Sequence, residues 1–359
     1  MFDTLILENY KSYKKLELND LKRINLIAGM NNTGKTSILE AIFMQHDRLA
    51  GDVFLRPLFR RGVQQVEVKP EYIFHPYFHD FNIDKPFVIT TKGGGFKDVA
   101  TYTMVSAKSK TMAVNQNNLP MNSVLSSAST FKNAVEIRYL SNNDKKGMAT
   151  LQIVNNQLEM NLESVSPAFR TAVFVPASAR GNSLSDADFI SQLDMANGLD
   201  EFVKYLKMID SKLRGVSLLS LGGQPTLYVD VGLKRKIPMV QMGEGISKLT
   251  SILTAILSNQ NAVILIDEIE NGIHYSLMPK IWKIIFSAAT RQKSQVFITT
   301  HSQDVINGVS ECFKENPGDK YEDVFSYIRL DKNDNGEIIP KHYGAASLVA
   351  SVERDWDIR

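Results

Sequence analysis

Cysteine is almost absent: Cys312 is the only one in 359 residues. A lone thiol excludes a disulfide framework and a cysteine-built zinc site, and it fits a reducing compartment. No run of roughly eighteen apolar residues occurs, so no segment reads as a membrane span. Met1-Phe2-Asp3-Thr4 has no basic leader ahead of an apolar core. These absences predict a cytoplasmic protein without membrane contact. An excess of one charge is also missing, since 41 basic and 39 acidic residues leave +2. That balance does not point to nucleic acid or an anionic surface, although a local basic patch keeps direct DNA contact open. There is no internal repeat and no low-complexity tract. The rest, 43% hydrophobic and 22% charged, suits a globular protein with a sizeable core.

The most informative stretch runs from Arg23 to Leu39: R-I-N-L-I-A, then G-M-N-N-T-G-K-T, then S-I-L. An apolar β-branched run ends at Gly29, and apolar periodicity (Ile38, Leu39, Ile42, Phe43) begins after Gly34, which reads as strand, loop and helix. A phosphate-binding loop requires this context. Gly29, Asn31, Asn32, Thr33 and Gly34 would wrap the phosphates with backbone N–H groups. Lys35, Thr36 and Ser37 would present the positive end of the helix. Lys35 would reach the β- and γ-phosphates, and the Thr36 hydroxyl would hold Mg²⁺.

Ahead of this loop, Thr4 to Leu7 and Leu16 to Leu18 read as a β start, with Tyr10 and Tyr13 placed either in the core or against an adenine ring. The loop's helix is expected to end near Leu49. Between Gly51 and Arg170, short alternating runs are separated by Gly93-Gly94-Gly95, Asn117-Asn118 and Asn155-Asn156, which suggests an antiparallel insertion. Phe174 and Val175 read as a strand returning to the core, and 186 to 213 carries a helical apolar stripe. A hairpin with Lys234-Arg235-Lys236 at its tip follows. Asp331 to Gly336 imitates the opening of a calcium loop but lacks the closing glutamate, so it reads as a turn. His75 and His79 have metal-ligand spacing, but Pro76 between them argues against a shared helix face.

The run Ala262 to Ile266 is continuously apolar, as in a strand buried on both faces of a parallel sheet. It delivers Asp267 and Glu268 at the strand end where such sheets bind ligands. A divalent cation gives two adjacent carboxylates a reason to sit there. Asp267 suits the Mg²⁺ shell, and Glu268 suits the base that polarises the attacking water. A third strand, Val296 to Thr300, ends at His301, placed to meet the γ-phosphate and that water.

Taken together, G-M-N-N-T-G-K-T, I-L-I-D-E-I-E-N-G-I-H and F-I-T-T-H-S-Q-D resemble the Walker A, Walker B with D-loop, and H-switch of ABC-type ATPases. The branch they resemble contains RecF, SMC proteins and the overcoming-lysogenisation-defect (OLD) nucleases. L-I-L-E-N-Y-K-S-Y-K-K-L-E-L and V-F-V-P-A-S-A-R are similar to further segments of that branch. The resemblance implies an α/β fold: a P-loop core of mixed sheet flanked by helices over 1–50 and 171–359, with a β-rich insertion over 51–170. It implies ATP and Mg²⁺ as ligands, Lys35, Glu268 and His301 as the catalytic set, and Thr36 and Asp267 at the metal. Asn271, Gly272 and His274 would form a D-loop at a subunit boundary. Gln241 to Lys248 stands where the signature motif belongs, so Gly243, Glu244, Gly245 and Lys248 would face the nucleotide of a second copy. Met242 departs from the serine kept by transport ATPases and SMC proteins, and Gln64 and Gln65 are only nominal Q-loop candidates.

A homodimer or higher homo-oligomer closing around ATP follows from the resemblance. OLD proteins add a TOPRIM nuclease domain, whereas 57 residues follow Ser302 here, too few for one. A separately encoded nuclease or toxin, as in bacterial anti-phage systems, is therefore the expected effector. The alternatives are a RecF- or SMC-like ATPase acting directly on DNA, and an ATP-locked scaffold that stores an effector with little turnover.

Overall fold

Two sheets with one helix between them position the phosphate loop. The computed structural model describes residues 1–47, 50–63, 65–106, 132–142, 145–164, 170–179, 184–221, 223–315 and 321–356. Strands β1 (Thr4–Tyr10) and β2 (Tyr13–Leu18) form a hairpin whose Leu5, Leu7, Tyr10, Tyr13, Leu16 and Leu18 are buried. The alternation is that of a sheet with one dry face. Strand β3 (Ile24–Gly29) follows, then the loop, then helix α1 (Lys35–His46). The expected end near Leu49 lies outside the described residues.

Short helices α2 (Arg56–Arg60) and α3 (Pro70–Ile73) lead to strands β4 (Phe87–Gly93), β5 (Phe96–Val105), β6 (Ala134–Ser141), β7 (Lys145–Val154) and β8 (Gln157–Ser164). These strands continue the N-terminal hairpin: β4 pairs with β1, and the antiparallel order is β2-β1-β4-β5-β6-β7-β8. Asn155 and Asn156, both at positive φ, close the β7–β8 turn, as a two-residue hairpin demands. Asn117-Asn118 lies outside the described residues. His75 and His79 fall in separate single turns, and His79 Nδ1 lies 2.9 Å from the Lys11 carbonyl. Pro76 therefore breaks the helix face that a metal pair would need.

The second sheet has six strands: β3, β9 (Ala172–Val175), β13 (Val263–Ile266), β14 (Gln295–Thr299), β15 (Phe325–Lys332) and β16 (Ile338–Tyr343), once the intervening elements are counted. Those intervening elements are helices α4 (Leu184–Met195) and α5 (Leu199–Ile209), strands β10 (Gly215–Leu221), β11 (Gln224–Asp230) and β12 (Ile237–Pro238), and helix α6 (Glu244–Leu257). Helices α7 (Met278–Gln292), α8 (Gln303–Glu315), α9 (Tyr321–Val324) and α10 (Ala345–Glu353) complete the chain. The order is β16-β15-β3-β14-β13-β9, parallel except at the β16 edge.

Period-two alternation divides this sheet between two cores. Ile24, Leu26, Ile264, Ile266, Val296 and Ile298 pack under the helices in one core with the fully buried Trp282 of α7. Ile27, Val263, Leu265, Phe297 and Ile328 face α1 and the antiparallel sheet instead. Helix α1 is thus covered on both sides, which is why Ile38, Leu39, Ala41, Ile42, Phe43 and Met44 are all buried. The helical stripe over 186–213 is two helices, broken where Gly198 opens α5. The basic hairpin exists, with Lys234, Arg235 and Lys236 exposed, but its first strand ends at Asp230 and pairs also with β10. Asp331 to Gly336 is a turn: Asn333 Oδ1 accepts from the backbone N–H of Asn335 and Glu337.

Candidate functional site

The phosphate loop is tied in place before any ligand arrives. Gly34 adopts φ +84°, and a Cβ there would lie 2.3 Å from the Tyr13 hydroxyl, so only glycine fits. Gly29 is equally confined: a Cβ would meet the Leu330 carbonyl oxygen at 2.7 Å. The Tyr13 hydroxyl donates to the Thr33 carbonyl at 2.8 Å, and Thr33 Oγ1 donates to the Met30 carbonyl at 2.9 Å. Tyr10 and Tyr13 are buried, which gives them the core reading and leaves neither ring free for an adenine. Asn31 and Asn32 are exposed on the loop's outer rim, and Ser37 follows on the first turn of α1.

Lys35 is 8% exposed, and its ammonium donates to the carbonyls of Gly29 (2.7 Å) and Met30 (2.9 Å). Burial lowers its pKa, while Glu270, Glu268 and Asp267 oppose that shift. Thr36 Oγ1 donates to Asp267 at 3.0 Å, joining the loop's helix to the end of β13. Thr299, the last residue of β14, donates to the same Asp267 oxygen at 2.6 Å and accepts from the Glu268 N–H at 2.9 Å. One hydroxyl therefore fixes both carboxylate residues. Burial raises the Asp267 pKa, against the pull of the Thr299 and Thr36 hydrogen bonds. Glu268 has φ +46°, strained for a side-chain-bearing residue, and the Asn271 amide donates to its Oε2 at 2.8 Å. At the end of β14, His301 donates its backbone N–H to Glu270 Oε1 (2.8 Å), and its Nδ1 lies 2.9 Å from the same oxygen.

Strand pairing brings these groups together. The Thr300 N–H donates to the Ile27 carbonyl and the Asp267 N–H to the Val175 carbonyl, which keeps the strand ends level. Two clefts open beside the loop. One of about 900 Å³ is lined by Gly29, Met30, Asn31, His301, Arg329 and Lys341. The second, about 400 Å³, is lined by Thr36, Glu40, Arg60, Ser178, Asp267 and Glu268. In it, the Arg60 guanidinium stands 3.9 Å from the Phe43 ring and 4.3 Å from that of Phe174. Its Nη1 is buried and has no hydrogen-bond partner among the described residues. Burial, then Arg56, pulls the Arg60 pKa down to about 10, against Glu40 and Asp47. Glu40 is 2% exposed and pairs with Lys11 and with Arg61 at 2.8 Å.

The donors at the α1 end suit Mg²⁺. Asp267 is buried, its carboxylate accepts hydrogen bonds from the hydroxyls of Thr36 and Thr299, and it sits beside Thr36, so the site offers the hard oxygen atoms this ion takes. Among the described residues no group of three His, Cys, Asp or Glu side chains is arranged as a metal site. An ion here would complete its shell with substrate phosphate and water.

The signature-like and D-loop segments also meet within the chain. Gly243 and Glu244 are exposed at the start of α6, and a Cβ on Gly272 would lie 2.7 Å from the Glu244 Cβ. Gly245 sits against the Gly272 carbonyl, where a Cβ would approach to 3.2 Å. His274 is exposed, 2.9 Å from the Ser276 hydroxyl. Lys248 overturns an expectation. It does not face a second copy: it is 0% exposed, and its ammonium donates to the carbonyls of Pro176 (2.7 Å), Ala177 (3.2 Å) and Asp267 (3.2 Å). A buried ammonium needs such acceptors, and here they tie α6 to the ends of β9 and β13. Gln65 is an exposed loop residue, and Gln64 lies outside the described residues. Thr299, Glu270 and Arg60 escaped the sequence reading, because only the folded chain reveals what they touch.

Comparison with known proteins supplies the context. The chain is 24% identical over 376 aligned positions, 99% of each chain, to an ATP/GTP phosphatase of Helicobacter pylori. It is 26% identical over 219 residues to the DNA double-strand break repair Rad50 ATPase of Pyrococcus abyssi, covering 56% of this chain and 23% of that one. An SMC head solved with the C-terminal winged-helix domain of ScpA aligns with 96% of this chain and 97% of its own, at 14% identity and a TM-score of 0.49. Residues 1–170 match the family described as "AAA ATPase domain". Residues 125–307, just over half of the chain, match the family described as "AAA domain, putative AbiEii toxin, Type IV TA system", and on that match the chain belongs to this AAA-domain ATPase family.

Proposed function

We propose that this chain binds ATP with Mg²⁺, hydrolyses it between two copies of itself, and uses that cycle to control a separately encoded nuclease or toxin in bacterial anti-phage defence. The observation that carries the hydrolytic reading is the bridge from Thr36 through Asp267 to Thr299, which joins the phosphate-loop helix to two strand ends and to the backbone of Glu268.

In this reading the loop N–H groups and the N-terminus of α1 receive the phosphates, and Lys35 exchanges the Gly29 and Met30 carbonyls for phosphate oxygens. Thr36 and Asp267 would hold Mg²⁺, which supplies screening of the phosphate charge when bound. Glu268, oriented by Asn271, accepts the proton of the attacking water. Arg60 stands across the cleft with an unused donor for developing negative charge. Gly243 and Glu244 of the signature-like loop and Gly272 and His274 of the D-loop are exposed, and Gly272 lies against Glu244 and Gly245, which favours their reaching the nucleotide of a second copy. The full-length similarity to an ATP/GTP phosphatase favours turnover over a permanently locked scaffold.

The test is phosphate release from ATP and GTP with Mg²⁺ and with chelator. Expected are Mg²⁺-dependent release by the wild type and a fall of about 10²- to 10⁴-fold in Glu268→Gln with nucleotide binding kept. Wild-type turnover in that variant would remove Glu268 from the base role. A second reading, direct action on DNA, draws on the Rad50 similarity and on the exposed Lys234-Arg235-Lys236 tip. Stimulation of the isolated protein by DNA would select it.

A further inference from the structure

Glu270 has no part in phosphate or metal binding as described above, and it stands two residues beyond Glu268. Its Oε1 lies 2.8 Å from the backbone N of His301 and 2.9 Å from Nδ1 of the same residue. The backbone N–H can only donate, so this oxygen is an acceptor. A second contact at that distance is attractive only if Nδ1 also carries a proton, since a ring lone pair there would face an oxygen lone pair. The proton borne by one ring nitrogen is set by the bond that the other makes. Burial adds to the constraint. The Glu270 side chain is 12% exposed, whereas the His301 side chain is 44% exposed, so the carboxylate is the more firmly enclosed partner. Glu270 is also the foremost of the carboxylates that raise the Lys35 pKa against burial.

We propose that Glu270 is the positioning residue that holds His301 in the Nδ1–H tautomer, so that Nε2 of the neutral ring accepts a hydrogen bond from the attacking water. This rests on the hydrolytic reading for its consequence, although the tautomer itself does not. The roles are separable by chemistry. With Nε2 as an acceptor, neutral His301 orients water; with Nε2–H it would donate to phosphate. Oε2 of Glu270 is buried without a hydrogen-bond partner among the described residues, so the carboxylate is held through Oε1 and its loss frees the ring.

The experiment is two-bond ¹H–¹⁵N correlation spectroscopy of the imidazole groups at a pH where the ring is neutral. The chain has 6 histidines, and His301 is assigned by its disappearance in His301→Gln. The wild type is expected to show Nδ1 protonated and Nε2 as the acceptor. Glu270→Gln, which keeps an acceptor oxygen, retains that pattern, and Glu270→Ala loses it. The same Glu270→Ala variant should lose about 100-fold in kcat, the lower end of what a positioned acid–base group supplies, with KM for ATP changed less than about twofold. A wild-type spectrum with Nε2 protonated overturns the proposal, and it does so even if Glu270→Ala fails to fold. An identical His301 pattern in wild type and Glu270→Ala also overturns it. If the tautomer responds to Glu270 but the wild type releases no phosphate, the hydrolytic reading fails and the assignment of Glu270 stands.

Discussion

The two sheets on either side of α1 are built for different ends. In the parallel sheet, β13 and β14 are buried along their whole length, and the residues at and just beyond their ends are fixed by side-chain hydrogen bonds: Thr299 to Asp267, Glu270 to His301, Lys248 to the Asp267 carbonyl. In the antiparallel sheet, burial fades from β1 to β8, until most of β8 faces solvent and Leu162 is 48% exposed. The first sheet tolerates little change because each terminal side chain is an acceptor or donor for another. The second contributes backbone pairing and one buried face, and reaches the site through Tyr13 and through the Lys11–Glu40–Arg61 cluster.

Substitutions can break or sharpen this contrast. The largest effect is expected from Lys35→Ala, which removes the loop's buried cation and should weaken nucleotide binding by about 2–5 kcal/mol, the usual loss for a buried charge contact; calorimetric titration with ATP checks it. Lys248→Ala is expected to destabilise the fold by at least about 2 kcal/mol, since it strands carbonyls that bond to a charged donor. Denaturant unfolding measures this, and an unchanged midpoint would mean that α6 does not depend on that tie. Arg60→Ala should lower kcat/KM by about tenfold, equivalent to about 1.4 kcal/mol, with the thermal midpoint little altered. On the far sheet, Leu162→Ser should move stability by no more than about 0.5 kcal/mol and leave phosphate release unchanged. A strong effect there would bring the antiparallel sheet into the mechanism.

The same contrast governs what could be read from the sequence. Strands β3, β13 and β14 are fully buried and mostly apolar, with Gly29 closing β3, Asp267 directly following β13 and Thr299 closing β14, so the apolar runs and the residues at their ends announced a ligand edge. Gly34 and the Asn155-Asn156 turn were legible because positive φ restricts the residue type. Lys248 was misread: in an amphipathic stretch a lysine looks like a solvated or interfacial charge, and only the closeness of three backbone carbonyls reveals a buried one. Thr299 and Glu270 were missed for a related reason. Their partners lie 32 and 31 positions away, on neighbouring strand ends, and nothing in the local pattern specifies that order. The break at Gly198 was hidden by apolar spacing that suits a continuous helix as well as two short ones.

The central claim is that three strand ends converge on one triphosphate and that a second copy completes the pocket. The most direct measurement is the solution mass of Glu268→Gln by light scattering, with and without ATP and Mg²⁺. The account predicts a doubling of the 40.3 kDa chain only when ATP is present. A protein that binds ATP and keeps the mass of a single chain would contradict it.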